Sequence, residues 1–238
     1  MTNEEIQAAA IEFARRNRNQ IAKELTNPAI FVPDIAPISI FMAGSPGAGK
    51  TEFSRSLVVG IEKNQERRVI RIDGDEIRTK LPCYTGSNSY LFQGAISLVI
   101  DKVHENALQQ KQNFILDGTL ARSERAIQNI NRSLKRGRLV YAFYVYQKPE
   151  VAWGFTQARE KIEGRNIPKS AFISQFFGAR ETIDKIMREF GEKIEIHLVK
   201  KNFQTNMIEN VIKINQNDAQ IDDYIKKEYN PEILEKFL

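Results

Sequence analysis

Hydrophobic residues recur along this chain with two different periods, and the alternation between these periods predicts its elements. Residues 3–25 carry apolar side chains on related helical turns, which indicates an amphipathic helix. Runs of apolar and β-branched residues later in the chain predict strands. These strands are expected at 38–43, 69–75, 114–119, 139–147 and 194–199.

Between the strands the apolar spacing becomes helical. Helices are predicted from residue 50 to about 63, over 90–110, around 122–135, after Pro149, and over 169–190. A polar break at 163–166 separates the last two helices, and a further strand and a terminal helix are expected after residue 205. Strands separated by helices predict the α/β class, with a parallel sheet covered by helices on both faces.

The prolines Pro28, Pro33 and Pro37 interrupt the pattern after the first helix. We therefore expect an N-terminal helix and connector over 1–36, followed by one domain over 37–238. The apolar side of the first helix needs burial, which favours a helix that covers the core. A docking surface and an intramolecular regulator remain alternatives for it.

The composition excludes several classes of protein. No apolar run reaches the roughly 20 residues that span a bilayer, and the acidic N-terminus does not resemble a secretory signal. The single cysteine, Cys83, excludes an internal disulfide and any site built from several cysteines. We therefore expect a cytoplasmic protein with no membrane partner.

The formal net charge is +5 and the isoelectric point is near 9.2. Basic residues are nevertheless spread along the chain, and the densest stretch, 132–138, holds four of them. A nucleic-acid-binding protein would concentrate this charge on a stripe or tail, so nucleic acid is not the expected partner. A protein that binds anionic small molecules would have the same excess of basic over acidic residues.

The segment after the first predicted strand matches G-x-x-x-x-G-K-[ST] without a gap. Its residues are Gly44, Ser45, Pro46, Gly47, Ala48, Gly49, Lys50 and Thr51. Backbone N–H groups of such a loop, together with the positive end of the next helix, surround phosphate oxygens. Lys50 is expected to reach the β- and γ-phosphates of a nucleotide, and the Thr51 hydroxyl to bind Mg²⁺.

Acidic residues follow the next two predicted strands. Asp73 and Asp75 end one strand and Asp117 ends another, so all three should face the phosphate loop. Asp117 is the candidate Mg²⁺ ligand, and Asp75 the candidate base that accepts a proton from a substrate hydroxyl. For Asp73 a helix-capping role is favoured, and capping is also the alternative for Asp75.

Phosphoryl transfer also needs a positive charge against the transferred group. The stretch 159–166 offers Arg159 and Arg165 around a Gly-containing break, which is typical of a lid over the phosphates. The alternative for both arginines is an ordinary solvated helix end.

Taken together, these segments resemble the zeta toxins, the kinase toxins of epsilon–zeta toxin–antitoxin systems. The matching pieces are GSPGAGKT, IDGDEIR, FILDGT and GRNIPK, spread over about 38–190. The resemblance implies a P-loop kinase fold and ATP-dependent phosphorylation of the sugar 3′-hydroxyl of UDP-N-acetylglucosamine. Such a reaction drains the precursors of the cell wall, and an antitoxin protein would be the partner.

The resemblance also implies roles for individual residues. Asp75 matches the general base of the family and Lys50 its phosphate-loop lysine, while Thr51 matches the hydroxyl on the magnesium side. Arg165 matches the second of two lid arginines, and Arg159 is the candidate for the first.

On the substrate side, Asp101 stands where the family has a substrate-binding glutamate. Asp117 stands where the family usually has glutamate, and with Thr119 it forms the acid-Gly-Thr element that is implied to face the substrate. His104, on the same predicted helix as Asp101, is expected to be a surface histidine rather than a catalyst.

Other functions remain open from the sequence. The same kinase chemistry could act on a nucleoside, an antibiotic hydroxyl or the 5′-hydroxyl of a nucleic acid. A regulatory NTPase switch is a second alternative, although no water-orienting residue or switch loop is identifiable. A degraded kinase kept as a binding module is a third, against which the intact lysine, threonine and acids argue.

Overall fold

The computed structural model describes residues 1–65, 67–202, 205, 207–214, 221–225 and 229–238. Its strands are β1 Ile38–Ala43, β2 Val69–Asp73, β3 Asn113–Asp117, β4 Leu139–Tyr146, β5 Glu195–Lys201 and β6 Ile208–Lys213. They form one six-stranded sheet in the order β2-β3-β1-β4-β5-β6. All neighbouring pairs from β2 to β5 are parallel, and β6 joins β5 antiparallel. The predicted α/β class with a parallel sheet is confirmed.

Helices follow the strands as the periodicity indicated. They are α1 Asn3–Leu25, α2 Lys50–Gln65, α3 Gly74–Arg78, α4 Gln93–Gln109, α5 Ser123–Leu134, α6 Pro149–Glu163, α7 Lys169–Phe190, α8 Ile221–Ile225 and α9 Pro231–Phe237. Alternate strand residues feed two hydrophobic clusters. One lies between the sheet and α2, and the other between the sheet and α4, α5 and α7. The helices therefore cover both faces, as in P-loop kinases. No helix among the described residues is long and apolar enough to cross a membrane.

The first helix covers part of this core. Thr2 and Glu5 form a capping box at its start, in which the Thr2 Oγ1 accepts from the Glu5 N–H at 3.2 Å. Ala10, Ala14 and Ala22 are buried in the cluster that also contains the apolar side of α4. Small side chains at these positions let α1 lie close against α4.

Two boundaries near the phosphate loop differ from the predicted ones. The predicted strand over 69–75 ends at Asp73, because the Asp73 side chain accepts from the Asp75 N–H at 2.8 Å and caps α3. Asp75 is therefore in the first turn of a helix. The predicted helix over 90–110 begins with a 3-10 turn at 89–92.

Near the C-terminus, the expected strand after residue 205 is β6, and the expected terminal helix is divided into α8 and α9. Parts of both predicted segments, at 206, 215–220 and 226–228, lie outside the described residues.

Candidate active site

The phosphate loop lies at the carboxyl end of β1, directly before α2, as predicted. Its glycines permit two close approaches of backbone to backbone. Gly44 has a φ of +135°, and a Cβ there would lie 2.4 Å from the Val145 carbonyl oxygen. Gly47 has a φ of +71°, and a Cβ there would lie 2.0 Å from the carbonyl oxygen of Ala152 on α6. Any side chain at these positions would displace the loop from β4 or from α6.

Lys50 folds back over this loop. Its Nζ donates a hydrogen bond of 2.6 Å to the Ser45 carbonyl oxygen. Desolvation lowers the pKa of Lys50 to about 8, against the attraction of Asp117 and Asp75 and with the repulsion of two arginines, Arg165 and Arg159. Asp75, Asp117, Arg159 and Arg165 therefore all lie near Lys50. These residues are the predicted base, the predicted metal ligand and the two predicted lid arginines.

Asp117 lies beside the first turn of α2. Its Oδ2 accepts a 2.6 Å hydrogen bond from Ser54, whose hydroxyl is also 3.0 Å from the Thr51 carbonyl oxygen. The single Ser54 proton goes to the shorter, charge-assisted contact. The Asp117 Oδ1 accepts from no group in the described part of the chain. The Thr51 hydroxyl and the Asp117 Oδ1 would suit a Mg²⁺ ion that takes its other ligands from phosphate and water.

A largely buried arginine that the sequence analysis missed holds the acids in place. Arg71 on β2 donates to Asp73 Oδ2 and to Asp117 Oδ2, each at 2.7 Å, and also pairs with Glu76. Burial alone would lower the pKa of Arg71, but the carboxylates of Asp73, Glu76 and Asp117 raise it. Burial, with the nearby Asp75 and Asp117, raises the pKa of Asp73. The only signal in the sequence is a basic residue inside an otherwise apolar strand.

The carboxylate of Asp75 is surrounded by guanidinium groups. Arg78 donates to Oδ1 at 2.6 Å, Arg165 donates to Oδ2, and the Arg159 Nη2 lies 3.8 Å from Oδ2. Burial alone would raise the pKa of Asp75, but Arg165, Arg78 and Arg159 lower it below its usual value. Both lid arginines thus meet the predicted base, and Arg78 is a third partner that the sequence analysis did not identify.

The segment that was predicted as a lid contains the expected Gly-containing break. Helix α6 ends at Glu163, which pairs with Arg159 at 3.1 Å, and Gly164 follows in the left-handed conformation with a φ of +69°. A Cβ on Gly86 would lie 2.4 Å from the Glu163 carbonyl oxygen, so the loop that follows α3 packs directly against the lid. This contact brings Arg165 over Asp75.

Thr119 also lies at the phosphate loop, where its carbonyl oxygen accepts a 3.2 Å hydrogen bond from the Gly44 N–H. Asp101 lies apart from these residues, on α4, and pairs with Arg125 of α5. The preceding residue, Ile100, packs on the backbone beside Asp75, since its Cδ1 would be 3.3 Å from a Cβ at Gly74. Asp101 is therefore on a neighbouring surface and not in the ring of charges around Lys50.

A cleft of about 730 Å³ opens on this neighbouring surface between α1, α4 and α5. Its basic lining residues are Arg18, Lys102, Arg122, Arg125 and Arg132. Its acidic lining residues are Asp101, Glu105 and Glu124. The volume is that of a ligand pocket, and the balance of charge favours an anionic ligand.

The expected surface position of His104 is wrong. His104 is 1% exposed and packs edge-on against Phe41 and Phe114, because its helical position faces the sheet. Burial and the nearby Arg132 lower its pKa to about 3, so the imidazole is neutral in the core.

The basic stretch at 132–138 is partly structural as well. Arg138 is buried and donates three 2.6 Å hydrogen bonds, to Ser39 Oγ and to the carbonyl oxygens of Ile38 and Gln112. This guanidinium ties the start of β1 to the start of β3.

Known structures share this architecture. A chain from the PezAT chromosomal toxin–antitoxin system of Streptococcus pneumoniae matches with a TM-score of 0.65 and 17% identity, covering 98% of this chain and 95% of that one. The AvrRxo1-ORF1:-ORF2 complex, also solved with ATP, matches with a TM-score of 0.60 and 14% identity over 93% of this chain and 71% of that one. At such low sequence identity, these matches show that the proteins share a fold. A search of curated protein sequences finds no match.

A sequence model of the zeta toxin family matches residues 21–221, most of the chain. This match extends from within α1, through the phosphate loop and the lid, to the start of α8. Family and fold together support a P-loop kinase, that is, a phosphotransferase. The chain belongs to the zeta toxin family.

Proposed function

We propose that this protein transfers the γ-phosphoryl group of ATP to the sugar 3′-hydroxyl of UDP-N-acetylglucosamine or a related UDP-sugar. One observation carries the proposal: the Asp75 carboxylate lies among Arg78, Arg159 and Arg165, beside the phosphate-loop lysine Lys50. A base, three fixed cations and a phosphate loop are the parts that phosphoryl transfer requires.

The nucleotide would lie in the loop at 44–49. Backbone N–H groups and the N-terminus of α2 would hold its phosphates, and Lys50 would exchange the Ser45 carbonyl for a phosphate oxygen. Thr51 and Asp117 would hold Mg²⁺, which, when bound, neutralises charge on the β- and γ-phosphates.

In the transfer step, the acceptor hydroxyl gives its proton to Asp75 while its oxygen bonds to the γ-phosphorus. The bond from that phosphorus to the oxygen shared with the β-phosphate breaks, and ADP leaves with the electron pair. Arg159 and Arg165 face the transferred group and stabilise its equatorial charge.

The ion pairs of the free protein suggest an order of events. While Asp75 is paired with Arg159 and Arg165, its lowered pKa makes it a weak base. A bound γ-phosphate offers these two arginines a more highly charged partner, which leaves Asp75 to the acceptor hydroxyl. The base would thus become effective only when ATP is present.

The cleft between α1, α4 and α5 supports the choice of acceptor. Five basic residues against three acidic ones favour a diphosphate-linked sugar over a neutral nucleoside or antibiotic. Asp101 in this cleft would accept hydrogen bonds from the sugar or the base.

We also propose an antitoxin protein as a partner, in the cytoplasm. The structural neighbours include a chain from a toxin–antitoxin system and one from a two-protein complex, which support such a pairing. Consumption of UDP-N-acetylglucosamine would then deplete the precursors of the cell wall.

The test incubates purified protein with ATP, Mg²⁺ and a panel of UDP-sugars, nucleosides and a 5′-hydroxyl oligonucleotide, with products identified by mass spectrometry. Asp75→Asn is assayed in parallel, and Asp223→Asn, at an exposed position on α8, is the matched control. We expect a singly phosphorylated UDP-sugar and a loss of about 10²–10⁴ in rate for Asp75→Asn alone.

Phosphorylation of another acceptor would support the kinase activity but exclude a UDP-sugar as its acceptor. Release of phosphate without any phosphorylated acceptor, at equal rates in wild type and Asp75→Asn, would reject Asp75 as the base and favour an NTPase switch.

A further inference from the structure

A second lysine lies against the phosphate loop, and the mechanism above does not use it. Lys201 is the last residue of β5, and a Cβ built on Gly49 would lie 3.0 Å from both its Cε and its Nζ. Val199, two residues earlier, packs in the cluster between the sheet and α2. Gly49 directly precedes α2, so the Lys201 side chain extends over the start of that helix.

Lys201 as a residue is largely buried, and its ammonium group has no partner among the described residues. The residue is 4% exposed, and within the described ranges its Nζ makes neither a hydrogen bond nor an ion pair. Glu52 attracts it from the first turn of α2 without forming an ion pair, and desolvation lowers the pKa of Lys201. A partly desolvated charge without a partner is unfavourable, so the loop holds this lysine at a cost in the free protein.

The position of Lys201 at the start of α2 also disfavours its charged form in the free protein. The N-terminus of a helix carries partial positive charge, which disfavours a cation and favours an anion. Lys201 thus adds positive charge where the loop and helix already present it. An anion bound between Gly49 and α2 would give the ammonium a partner and remove the repulsion.

The two lysines approach the loop from opposite ends. Lys50 contacts Ser45, and its Cδ would lie 3.6 Å from a Cβ at Gly44, whereas Lys201 lies at Gly49. The loop amides hold the α- and β-phosphates while Lys50 reaches the β- and γ-phosphates. We propose that Lys201 is a second nucleotide-binding lysine, which contacts the phosphates that ATP and ADP share and so holds the nucleotide before and after transfer.

This inference rests on the proposed nucleotide site, but its test needs no acceptor. Titration calorimetry would measure the affinity of wild type, Lys201→Met, Lys201→Gln and Lys200→Met for ATP and for ADP with Mg²⁺. Lys200 is the matched control, since it is the preceding lysine of β5 and is less buried than Lys201. Thermal melting without nucleotide would verify that each variant is folded.

We expect both Lys201 variants to bind ATP and ADP about tenfold or more weakly, as for loss of a charge-assisted hydrogen bond. The Lys200 variant should stay within about twofold of wild type. Without nucleotide, the Lys201 variants should melt at the wild-type temperature or above it, because a partly desolvated charge without a partner has been removed.

Unchanged affinities in folded Lys201 variants would overturn the inference while leaving the nucleotide site intact. Weaker binding of ATP but not of ADP would overturn it too, since the lysine would then meet the γ-phosphate. Absence of ATP binding by the wild type would reject the nucleotide site itself, and with it the role of Lys201.

Discussion

Lys50 shares its surroundings with two carboxylates and two guanidinium groups. Its pKa of about 8 lies well below the ordinary lysine value of 10.5, since desolvation and the arginines outweigh Asp117 and Asp75. In the free protein the neutral amine is therefore favoured relative to the unfolded chain. From this group alone, the free energy of unfolding should rise as the pH increases from about 8 towards 10.5.

Nucleotide binding should show the opposite trend, because the charged ammonium is the form that attracts phosphate. We expect the affinity for ATP to fall as the pH rises from about 7.5 through 8, measured by calorimetry in buffers of matched ionic strength. Lys50→Met should bind ATP more weakly at every pH and lose this part of the pH dependence. An identical slope in wild type and Lys50→Met would contradict the assigned role.

At the scale of elements, the phosphate loop and the lid helix depend on each other. Gly47 lies against the carbonyl of Ala152 on α6, and a Cβ there would also be 2.8 Å from the Thr156 Oγ1. The same helix carries Arg159 and ends one residue before the Gly164 turn. The close fit at Gly47 therefore holds the helix that carries Arg159 against the phosphate loop.

Gly47→Ala should push α6 away from the loop. We expect it to lower the free energy of unfolding by about 1–3 kcal/mol, measured with urea, through overpacking and a positive φ. ATP affinity should fall with it.

Gly154→Ala on α6 is the matched control, because a Cβ there meets nothing within 4 Å. It should raise the free energy of unfolding by about 0.5–1 kcal/mol through helix propensity. Equal effects of the two substitutions would argue against the close packing between loop and lid.

At the scale of the whole molecule, the basic cleft draws on segments that are distant in sequence. Arg18 comes from α1, Asp101 from α4 and Arg132 from α5, and they line one space because α1 packs along α4. The N-terminal helix therefore contributes a wall of the proposed acceptor site in addition to covering the core.

Arg18→Ala should raise the KM for the acceptor about tenfold while leaving the KM for ATP unchanged, because it removes a cation from the cleft but not from the phosphate loop. Arg15→Ala, at an exposed position one turn away on α1, is the control and should change neither constant. Steady-state kinetics with each substrate varied in turn measures both effects. A change in the KM for ATP alone would place Arg18 outside the acceptor site.

The sequence predicted the elements well because their signals are local. The periodicity of α1 and α7, the apolar run of β1 and the spacing of the phosphate loop each lie within one segment of chain. The polar break between α6 and α7 was found for the same reason, and so was the capping role of Asp73. The prediction for His104 was wrong because its burial depends on a non-local contact. The side of α4 that carries His104 is buried only because it packs against the sheet.

By itself, the sequence determined the α/β class, the phosphate loop and the candidate acids and arginines, because residue type and spacing are enough to recognise them. Only the tertiary structure decided that Arg71 bridges Asp73 and Asp117, and that Arg78 joins the lid arginines at Asp75. It also decided that Lys201 reaches the phosphate loop. These contacts join segments far apart in the chain, and they follow from the strand order and the packing of helices on the sheet, which no local pattern encodes.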